Sequence, residues 1–413
     1  WQNPEQLFVA QELINKVKSK CCGIKGKMKK YLLGLAVLLM GTAVMTSCDP
    51  AEDYPETYLQ VYSTGAYVVN SGNMYSKIES SLTAIDYASS TATQNVFKTA
   101  NGRSLGNTAN DGIVYGNKIY LAVDQSNTIE VIDKKTKQSI KQIKTTELLG
   151  NAEGAEPRHI IADGGKVYFT TYGGYVAAVD TTSFALQKKW QVGSYPESLV
   201  IGNGNLYVAN SNYGYGGGNI SCINLSNDNV ETKNIEGVNN PTSIYYASNV
   251  LYVLDNPVYG PAPDYATTGE NALRAVSFAE GKSQKVADGN YAVCVTPGTT
   301  TRTPQLVRSY FFVLNAPYGG TPSVSVLAAG STQPQALTLS EMPVSPCGIF
   351  ADPLNGHIFV LSYKMGDKGT PDYNGNGYVV EYDRAGQKQH EYETGVGSCA
   401  MFFDSAYKTA YTE

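Results

Sequence analysis

The chain has 413 residues and a formal net charge of −5, with 16% charged and 11% aromatic residues. A disordered protein would carry more charge and fewer aromatic residues, and a nucleic-acid-binding protein would carry a basic patch, which is missing after the first thirty residues. Three histidines (His159, His357 and His390) are too few for a multi-histidine metal centre.

The first element in chain order is a secretion signal. Residues 28–48 read MKKYLLGLAVLLMGTAVMTSC, in which two lysines precede an apolar stretch too short to span a membrane comfortably. We predict a lipoprotein signal peptide over residues 28–47, with Cys48 acylated as the new N-terminus; an ordinary secretory signal is the alternative. Residues 1–27 precede a natural start at Met28 and are interpreted as a spurious upstream extension, against the alternative of a genuine one.

An acidic segment follows the signal, with Asp49, Glu52 and Asp53 directly after Cys48. This pattern resembles the surface-export signal of Bacteroidetes lipoproteins, which implies a cell-surface protein anchored by lipid in the outer membrane. We predict a flexible acidic linker over residues 48–62 and a single domain over residues 63–413. Four further cysteines (Cys222, Cys294, Cys347 and Cys399) fit no zinc motif, and the sequence leaves open whether they form disulfides or remain buried thiols.

A hairpin unit recurs through the domain: a short apolar strand, a Gly/Asn/Asp turn, and a strand with Tyr or Phe followed by Val or Leu. Copies lie at 110–124, 157–172, 196–211, 241–256 and 346–363, with a degenerate copy at 291–315 and a last one from about Gly397 to Tyr411. Each unit continues with a second strand pair, such as TIEVID at 128–133 followed by 139–143.

Four short strands in each unit of about 50 residues indicate an all-β fold, the β-propeller, with four antiparallel strands, A to D, per blade. The length favours seven blades over six or eight. In the first blade, Tyr67–Asn70 is predicted as strand B, and Leu82–Asp86 and Asn95–Lys98 as strands C and D. We expect Ser398–Phe403 to supply its strand A, so that N- and C-terminal strands close the ring, with Tyr407–Thr412 left as a spare strand.

Long loops are concentrated on one predicted face, where B-to-C and D-to-A connections emerge. The long B-to-C loops cover 211–218, 256–270, 316–322 and 363–377, whereas most A-to-B turns are tight. Long loops on one face of a rigid scaffold are typical of a binding surface. Four tyrosines inside B strands (Tyr120, Tyr168, Tyr207 and Tyr252) are instead interpreted as packing residues.

The predicted ligand-binding residues are tyrosines and polar residues of these loops, because Tyr offers a stiff ring with a hydrogen-bonding tip. They are Tyr75, Asn110, Asp111, Arg158, Tyr172, Tyr195, Tyr213, Tyr215, Asn240, Tyr259, Tyr318 and Tyr363. The same loops also contain Asn107, Glu156, Tyr175, Glu197, Asn239, Tyr265 and Tyr373. Such a set suits a large, flat ligand with polar and apolar parts: a corrinoid, a glycan or a protein surface.

Two further motifs contain residues suited to metal binding or to acid–base catalysis. Asp372, Asn374 and Asn376 match the start of a calcium loop, with Asp383 at the twelfth position and Asp367 nearby; an Asn-Gly turn is the alternative. His159 follows Arg158 near the axis and could act as a general base, but a packed or hydrogen-bonded histidine is the favoured interpretation. No catalytic residue and no required cofactor are predicted.

The run GNGNLYVANS at 202–211 is similar to the repeats of YVTN/YncE-type propellers. Together with the lipoprotein signal and the Tyr- and Asn-rich loops, it makes the chain resemble the DUF5074-type surface propeller lipoproteins of Bacteroidetes. This group includes the BtuG-like proteins, which capture cobalamin for a TonB-dependent transporter. The resemblance implies a corrinoid ligand and a transporter partner. The alternatives are a glycan- or protein-binding propeller, and a propeller lyase or lactonase.

Overall fold

A computed structural model describes residues 57–261, 267–296, 308–317 and 319–411. Residues 62–406 form one compact unit, the propeller. Residues 57–61 and 407–411 belong to a separate unit and extend the first and last strands. The predicted signal peptide and the acylation site Cys48 lie outside the described residues. Strand structure begins at Thr57, so the last six residues of the predicted linker are extended chain.

The propeller has seven four-stranded antiparallel blades, as predicted, each ordered from the axis outward as A, B, C and D. Blade 1 contains β30 (Ser398–Tyr411), β1 (Thr57–Asn70), β2 (Ser81–Asp86) and β3 (Thr91–Thr93). Blade 2 contains β4 (Ala109–Tyr115), β5 (Lys118–Val123), β6 (Thr128–Asp133) and β7 (Ser139–Lys144). Blade 3 contains β8 (Pro157–Asp163), β9 (Lys166–Thr171), β10 (Tyr175–Asp180) and β11 (Leu186–Gln191).

The remaining blades follow the same order. Blade 4 contains β12 (Pro196–Gly202), β13 (Asn205–Asn210), β14 (Asn219–Asn224) and β15 (Val230–Lys233). Blade 5 contains β16 (Pro241–Ala247), β17 (Val250–Asp255), β20 (Ala272–Ser277) and β21 (Lys282–Asp288), with a small hairpin, β18 (Val258–Tyr259) and β19 (Thr267–Thr268), in its B-to-C loop. Blade 6 contains β22 (Tyr291–Val295), β23 (Tyr310–Asn315), β24 (Ser323–Ala328) and β25 (Gln335–Leu337), and blade 7 contains β26 (Pro346–Ala351), β27 (Ile358–Ser362), β28 (Asn376–Tyr382) and β29 (Lys388–Val396).

The last strand closes the ring as expected, because β30 pairs with β1 as strand A of blade 1. Two predictions about this blade are wrong. Asn95–Lys98 is not strand D; Val96–Asn101 forms a short helix, α1, which places Phe97 in the core between blades 1 and 2. The expected spare strand after residue 406 does not exist separately, because β30 runs without interruption to Tyr411.

The core is divided into seven hydrophobic clusters, one at each interface between neighbouring blades. The B-strand tyrosines pack there as predicted: Tyr120, Tyr168 and Tyr252 are buried, and Tyr207 stacks on Tyr246 of the next blade. Each blade is therefore held in place by apolar packing against both of its neighbours.

Helix is confined to short connections. Besides α1, the described residues contain α2 (Thr145–Leu149) and two single turns of 3₁₀ helix at Met74–Ser76 and Asn212–Gly214. Within this part of the chain, no helix has the length and apolarity needed to cross a membrane.

Candidate functional site

Exposed apolar side chains are concentrated on the face that carries the B-to-C and D-to-A loops. Of the twelve large hydrophobic side chains that the described residues expose, nine lie in these loops. They are Met74, Tyr75, Tyr195, Tyr213, Tyr215, Tyr259, Val344, Met365 and Tyr373. Large side chains gathered on one face of a soluble scaffold mark an interaction surface. We call this surface the tyrosine face.

Four tyrosines from blades 3 and 4 form a continuous group on the tyrosine face. The ring centroids of Tyr172 and Tyr195 are 5.1 Å apart at 74°, and those of Tyr195 and Tyr213 are 5.0 Å apart at 57°. Tyr215 continues the group at 5.7 Å from Tyr213, with a tilt of 34°. Aromatic rings attract each other in edge-to-face and tilted arrangements, so this quartet is a preformed aromatic wall, in which Tyr213 and Tyr215 are more than half exposed.

Tyr75 of blade 1 lies near this wall, and Tyr259, Tyr291 and Tyr373 of blades 5, 6 and 7 lie near one another. Desolvation raises the pKa of Tyr213, with further increases from Tyr215, Glu156 and then Tyr75, which belongs to blade 1. Burial raises the pKa of Tyr291 to about 12, and Cys347, Tyr259 and Tyr373 add to this shift. Tyr213 therefore lies within electrostatic reach of Tyr75 and Tyr215, and Tyr291 within reach of Tyr259 and Tyr373; the raised pKa values keep Tyr213 and Tyr291 protonated hydrogen-bond donors at neutral pH.

Two of these loop tyrosines are positioned by identifiable contacts. Tyr259 packs on Gly214, where a Cβ atom would come within 2.9 Å of its ring and where the φ angle of +80° favours glycine. Tyr373 meets Tyr363 edge-on, with ring centroids 5.0 Å apart. The loop tyrosines are thus held by local packing before any ligand arrives, which lowers the entropic cost of binding.

Below the tyrosine face, β-bulges interrupt strand A at its first residues in blades 2, 3, 4, 5 and 7. In blade 2, Ala109 pairs with Val123 and Asp111 with Ala122, so that Asn110 is the extra residue. The same irregularity falls at Arg158 and His159, at Glu197 and at Cys347. Bulges redirect side chains, and here they bring polar groups of neighbouring innermost strands together at the mouth of the central channel.

Arg158 is the centre of this channel mouth. Its guanidinium group donates to Asp124 at 2.7 Å and to Glu197 at 3.0 Å, and it lies over the ring of Tyr172, 4.5 Å from the centroid. The Tyr172 hydroxyl donates to the second Glu197 oxygen. Burial, followed by the Glu197 charge, raises the pKa of Tyr172 above its usual range. The ion-pair network therefore fixes the inner edge of the aromatic wall.

His159 is oriented by Asp111. Its Nδ1 atom lies 3.1 Å from Asp111 Oδ2, which also accepts from the backbone N–H of Ile160 at 3.1 Å. Nε2 lies 3.7 Å from Glu197, beyond hydrogen-bond range. Asn110 belongs to the same contact, because its amide donates to the backbone oxygen of Arg158 at 2.8 Å. Three carboxylates (Asp111, Asp124 and Glu197) thus face one arginine here, so the channel mouth is acidic.

Two thiols complete the channel mouth on the side of blades 7 and 1. Cys399 follows Ser398 in β30 and contacts the backbone oxygen of Ala109 at 3.4 Å, and Cys347 contacts that of Ser398 at 3.8 Å. All four described cysteines are free thiols, so no disulfide forms among them; Cys222, Cys294 and Cys347 are partly buried and Cys399 is exposed, so the alternative of buried thiols describes them only in part. Desolvation by the surrounding protein raises the pKa of Cys347 to about 12.

We expect the partly buried thiols to resist alkylation. Burial raises the pKa of Cys294 and Cys347 to about 12, whereas an unfolded cysteine titrates near 8.5. At pH 8, iodoacetamide should modify these two at least about a hundredfold more slowly in the native protein than in denaturant, since the thiolate is the nucleophile. Peptide mass spectrometry of timed reactions measures this; native labelling of Cys347 at the denatured rate would contradict it.

The predicted calcium ligands make hydrogen bonds within and next to their turn. Asp372 Oδ1 accepts from the backbone N–H groups of Asn374 and Gly375, each at 3.0 Å. Asn374 accepts from Asn73, and Asn376 donates to Glu393. Asp383 lies beyond the opposite end of β28 and caps the following turn. Among the described residues, no three His, Cys, Asp or Glu side chains are grouped to hold a metal. A cation held by Asp372, Asn374 and Asn376 stays a prediction.

Among the remaining predicted residues, Asn240 has a structural role. Asn240 is buried, donates its backbone N–H to Asp255 at 2.7 Å and its side chain to Pro257 O at 2.8 Å, and so supports a loop. Tyr318 and Tyr265 lie outside the described residues. Met74, Val344 and Met365 on the tyrosine face were not predicted from the sequence, and neither was Asp124, whose only signal is its position directly after the apolar strand β5.

Comparisons with known proteins agree with this fold. Residues 64–243 match the model of DUF5074, a domain of unknown function, so the expected resemblance to DUF5074-type propellers is confirmed. No curated protein matches the sequence. A candidate 6-phosphogluconolactonase of Bacteroides uniformis has a similar structure, with a TM-score of 0.54, 11% identity, and coverage of 83% of this chain and 100% of that one. A second, from Bacteroides fragilis, gives a TM-score of 0.52, 11% identity, and 83% and 98% coverage. At this identity the similarity shows the propeller fold alone.

Proposed function

We propose that this protein is a surface-anchored binding propeller that captures a large ligand on the tyrosine face. The observation that carries the proposal is the placement of nine of the twelve exposed large hydrophobic side chains on that one face. A ligand suited to it has apolar surface for the rings and hydrogen-bonding groups for the phenols, Asn110 and the acidic channel mouth. A corrinoid such as cobalamin, flat and edged with amide groups, has this chemistry.

The resemblance to cobalamin-capturing lipoproteins supports the same ligand and extends the proposal. In this role Cys48 carries the lipid that holds the propeller at the outer-membrane surface. The captured corrinoid then passes to a TonB-dependent transporter. The tilted and edge-on rings of the quartet favour such a ligand over a glycan, because a sugar stacks on exposed rings that lie near-parallel.

Catalysis on a lactone is a second candidate, favoured by the Asp111–His159 pair, which has the arrangement of an oriented general base. The negative charge of the channel mouth argues against catalysis on phosphorylated lactones. A phosphate group entering the channel mouth would meet three carboxylates and only Arg158, which is already paired with Asp124 and Glu197. Binding without turnover is therefore the function that the geometry supports best.

Calorimetric titration of the chain from Asp49 onward with cyanocobalamin tests the proposal. We expect tight one-to-one binding. The double variant Tyr213→Ala/Tyr215→Ala should weaken it by about 30- to 1,000-fold, because exposed aromatic anchors contribute most to such interfaces. Ile140→Ala, which removes a side chain of 44% exposure from the outer strand β7, is the matched control and should bind normally.

Two results would replace the proposal. The absence of heat, with no coloured ligand retained after desalting, would exclude corrinoid capture and direct the search to a glycan array. Hydrolysis of 6-phosphogluconolactone by the purified protein, lost in His159→Gln, would establish the catalytic alternative.

A further inference from the structure

A cleft opens between blades 4 and 5, on the same side as the B-to-C loops. Its volume is about 680 Å³, within the range of small-molecule sites. The residues that determine its chemistry are Asn239, Asp255, Asn256, Glu270 and Arg274. None of them is one of the nine exposed side chains of the tyrosine face or a member of the Arg158 network.

Glycines keep this cleft open. Gly216, Gly237 and Gly269, one on each of three wall segments, have φ angles of +83°, +82° and +98°. L-residues rarely adopt such angles, so these wall positions favour glycine and present bare backbone. Val258 is the principal apolar side chain among the lining residues.

The floor carries polar atoms whose hydrogen bonds are incomplete. Asp255 Oδ1 accepts from the backbone N–H groups of Asn239 and Asn240, at 2.9 and 2.7 Å, while Oδ2 lies 3.7 Å from Arg274 Nε, beyond hydrogen-bond range. The Asn256 amide donates to Thr242 at 3.1 Å, which fixes its orientation and leaves its Oδ1 atom buried without a partner. Arg274 Nε is also buried without a partner.

Unpaired buried polar atoms cost about 1–3 kcal/mol each. Asn256 Oδ1 and Arg274 Nε have almost no accessible surface, so a bound molecule would contact the accessible atoms of Asp255, Glu270 and Arg274 instead. The carboxyl group of Asp255 is also desolvated, and this burial raises its pKa. Glu270 accepts from the Arg274 guanidinium group at 3.0 Å and from the Lys285 ammonium group at 2.6 Å. The carboxylates of the cleft are thus largely neutralised by Arg274 and Lys285, which favours a neutral ligand over a charged one.

We infer that this cleft binds a short, neutral, hydroxyl-rich saccharide. Its hydroxyl groups would donate to Asp255 and Glu270, and its ring oxygen or hydroxyl oxygens would accept from Arg274 and Asn239. These residues are not the tyrosines proposed to bind the corrinoid, so a cobalamin titration and a saccharide titration of the same protein can succeed or fail separately.

Thr268 provides a variant that fills the cleft without removing a buried group. It is an exposed residue of β19 that lines the cleft. Thr267, also exposed, precedes it on the same strand, and successive side chains of a strand point to opposite faces. Thr268→Trp therefore blocks the cleft, and Thr267→Trp is the matched control for adding a large ring to this hairpin.

The experiment is saturation-transfer NMR followed by calorimetry on the purified protein, with glucose, galactose, mannose, N-acetylglucosamine, maltose and lactose as neutral probes. Spermidine and gluconate serve as cationic and anionic probes. We expect at least one neutral saccharide to bind the unmodified protein and Thr267→Trp equally, and to bind Thr268→Trp at least tenfold more weakly. Thermal melts of both variants verify that they are folded.

Three outcomes would overturn the inference. Binding of none of the six saccharides would show that the cleft does not take this class of ligand. Binding of spermidine or gluconate alone would assign it to a charged ligand instead. Unchanged saccharide affinity in folded Thr268→Trp would place the bound sugar elsewhere on the protein.

Discussion

Replacing Arg158 with methionine is expected to lower the free energy of unfolding by about 3–5 kcal/mol, the usual cost of removing one partner from a buried ion pair. Arg158 is the cation that neutralises Asp124 and Glu197, whose side chains are only 3% and 10% exposed. Methionine keeps the side-chain length but leaves both carboxylates charged and unpaired. Denaturant unfolding followed by tryptophan fluorescence measures the difference.

Two companion variants give this prediction its control. Lys189→Met breaks the exposed Lys189–Glu153 pair, whose side chains are 38% and 35% exposed, and should cost less than about 1 kcal/mol. The triple variant Arg158→Met/Asp124→Asn/Glu197→Gln removes the unpaired charges and should recover most of the loss. Equal destabilisation by Arg158→Met and Lys189→Met would show that the channel-mouth network contributes little to stability.

Asn70→Ala is expected to destabilise the propeller by about 2–4 kcal/mol, because it leaves several buried polar groups without partners. The fully buried Asn70 amide donates to Ser81 and Thr83, at 3.1 and 3.0 Å. Its oxygen accepts from the Gly395 N–H at 3.1 Å and the Ser398 hydroxyl at 2.9 Å. One side chain therefore joins blade 1 to the end of β29 and the start of β30, where the ring closes.

Asn210→Ala is the matched control for the closure residue. Asn210 ends strand B of blade 4, as Asn70 ends strand B of blade 1, and donates to Asn219 and Ser221 in the same way. Its Oδ1 atom has no partner, so fewer hydrogen bonds are lost on substitution. Thermal melting should show the larger loss for Asn70→Ala. Equal losses would mean that Asn70 contributes only as a strand-end residue and has no special role in closure.

The sequence was most informative where a pattern repeats. The degenerate copy at 291–315 predicted the start of β22 at Tyr291 and the end of β23 at Asn315, although its turn is longer than in the other copies. The helix α1 was misassigned because Asn95–Lys98 occupies the place where other blades have strand D, and the burial of Phe97 between blades outweighs strand pairing there.

The candidate site was predicted only in part, for a physical reason. Loop position identified Tyr213, Tyr215 and Tyr259 as surface tyrosines, and all three are more than half exposed. Sequence spacing says nothing about contacts between blades, so the Arg158–Asp124 pair, 34 residues apart, was not found. For the same reason Asp383 was grouped with Asp372, although a seven-residue strand separates their turns.

The sequence by itself determined the seven-bladed all-β ring and its closure by the last strand, because alternating apolar strands and tight turns repeat with a period that only packed blades can bury. It also determined which loops are long and rich in tyrosine. Tertiary structure alone decided that bulges bring Asp111, Arg158, His159 and Glu197 together at one channel mouth, and that a polar cleft opens beside Arg274. Those contacts join residues of different blades, and their geometry depends on how the blades pack around the axis.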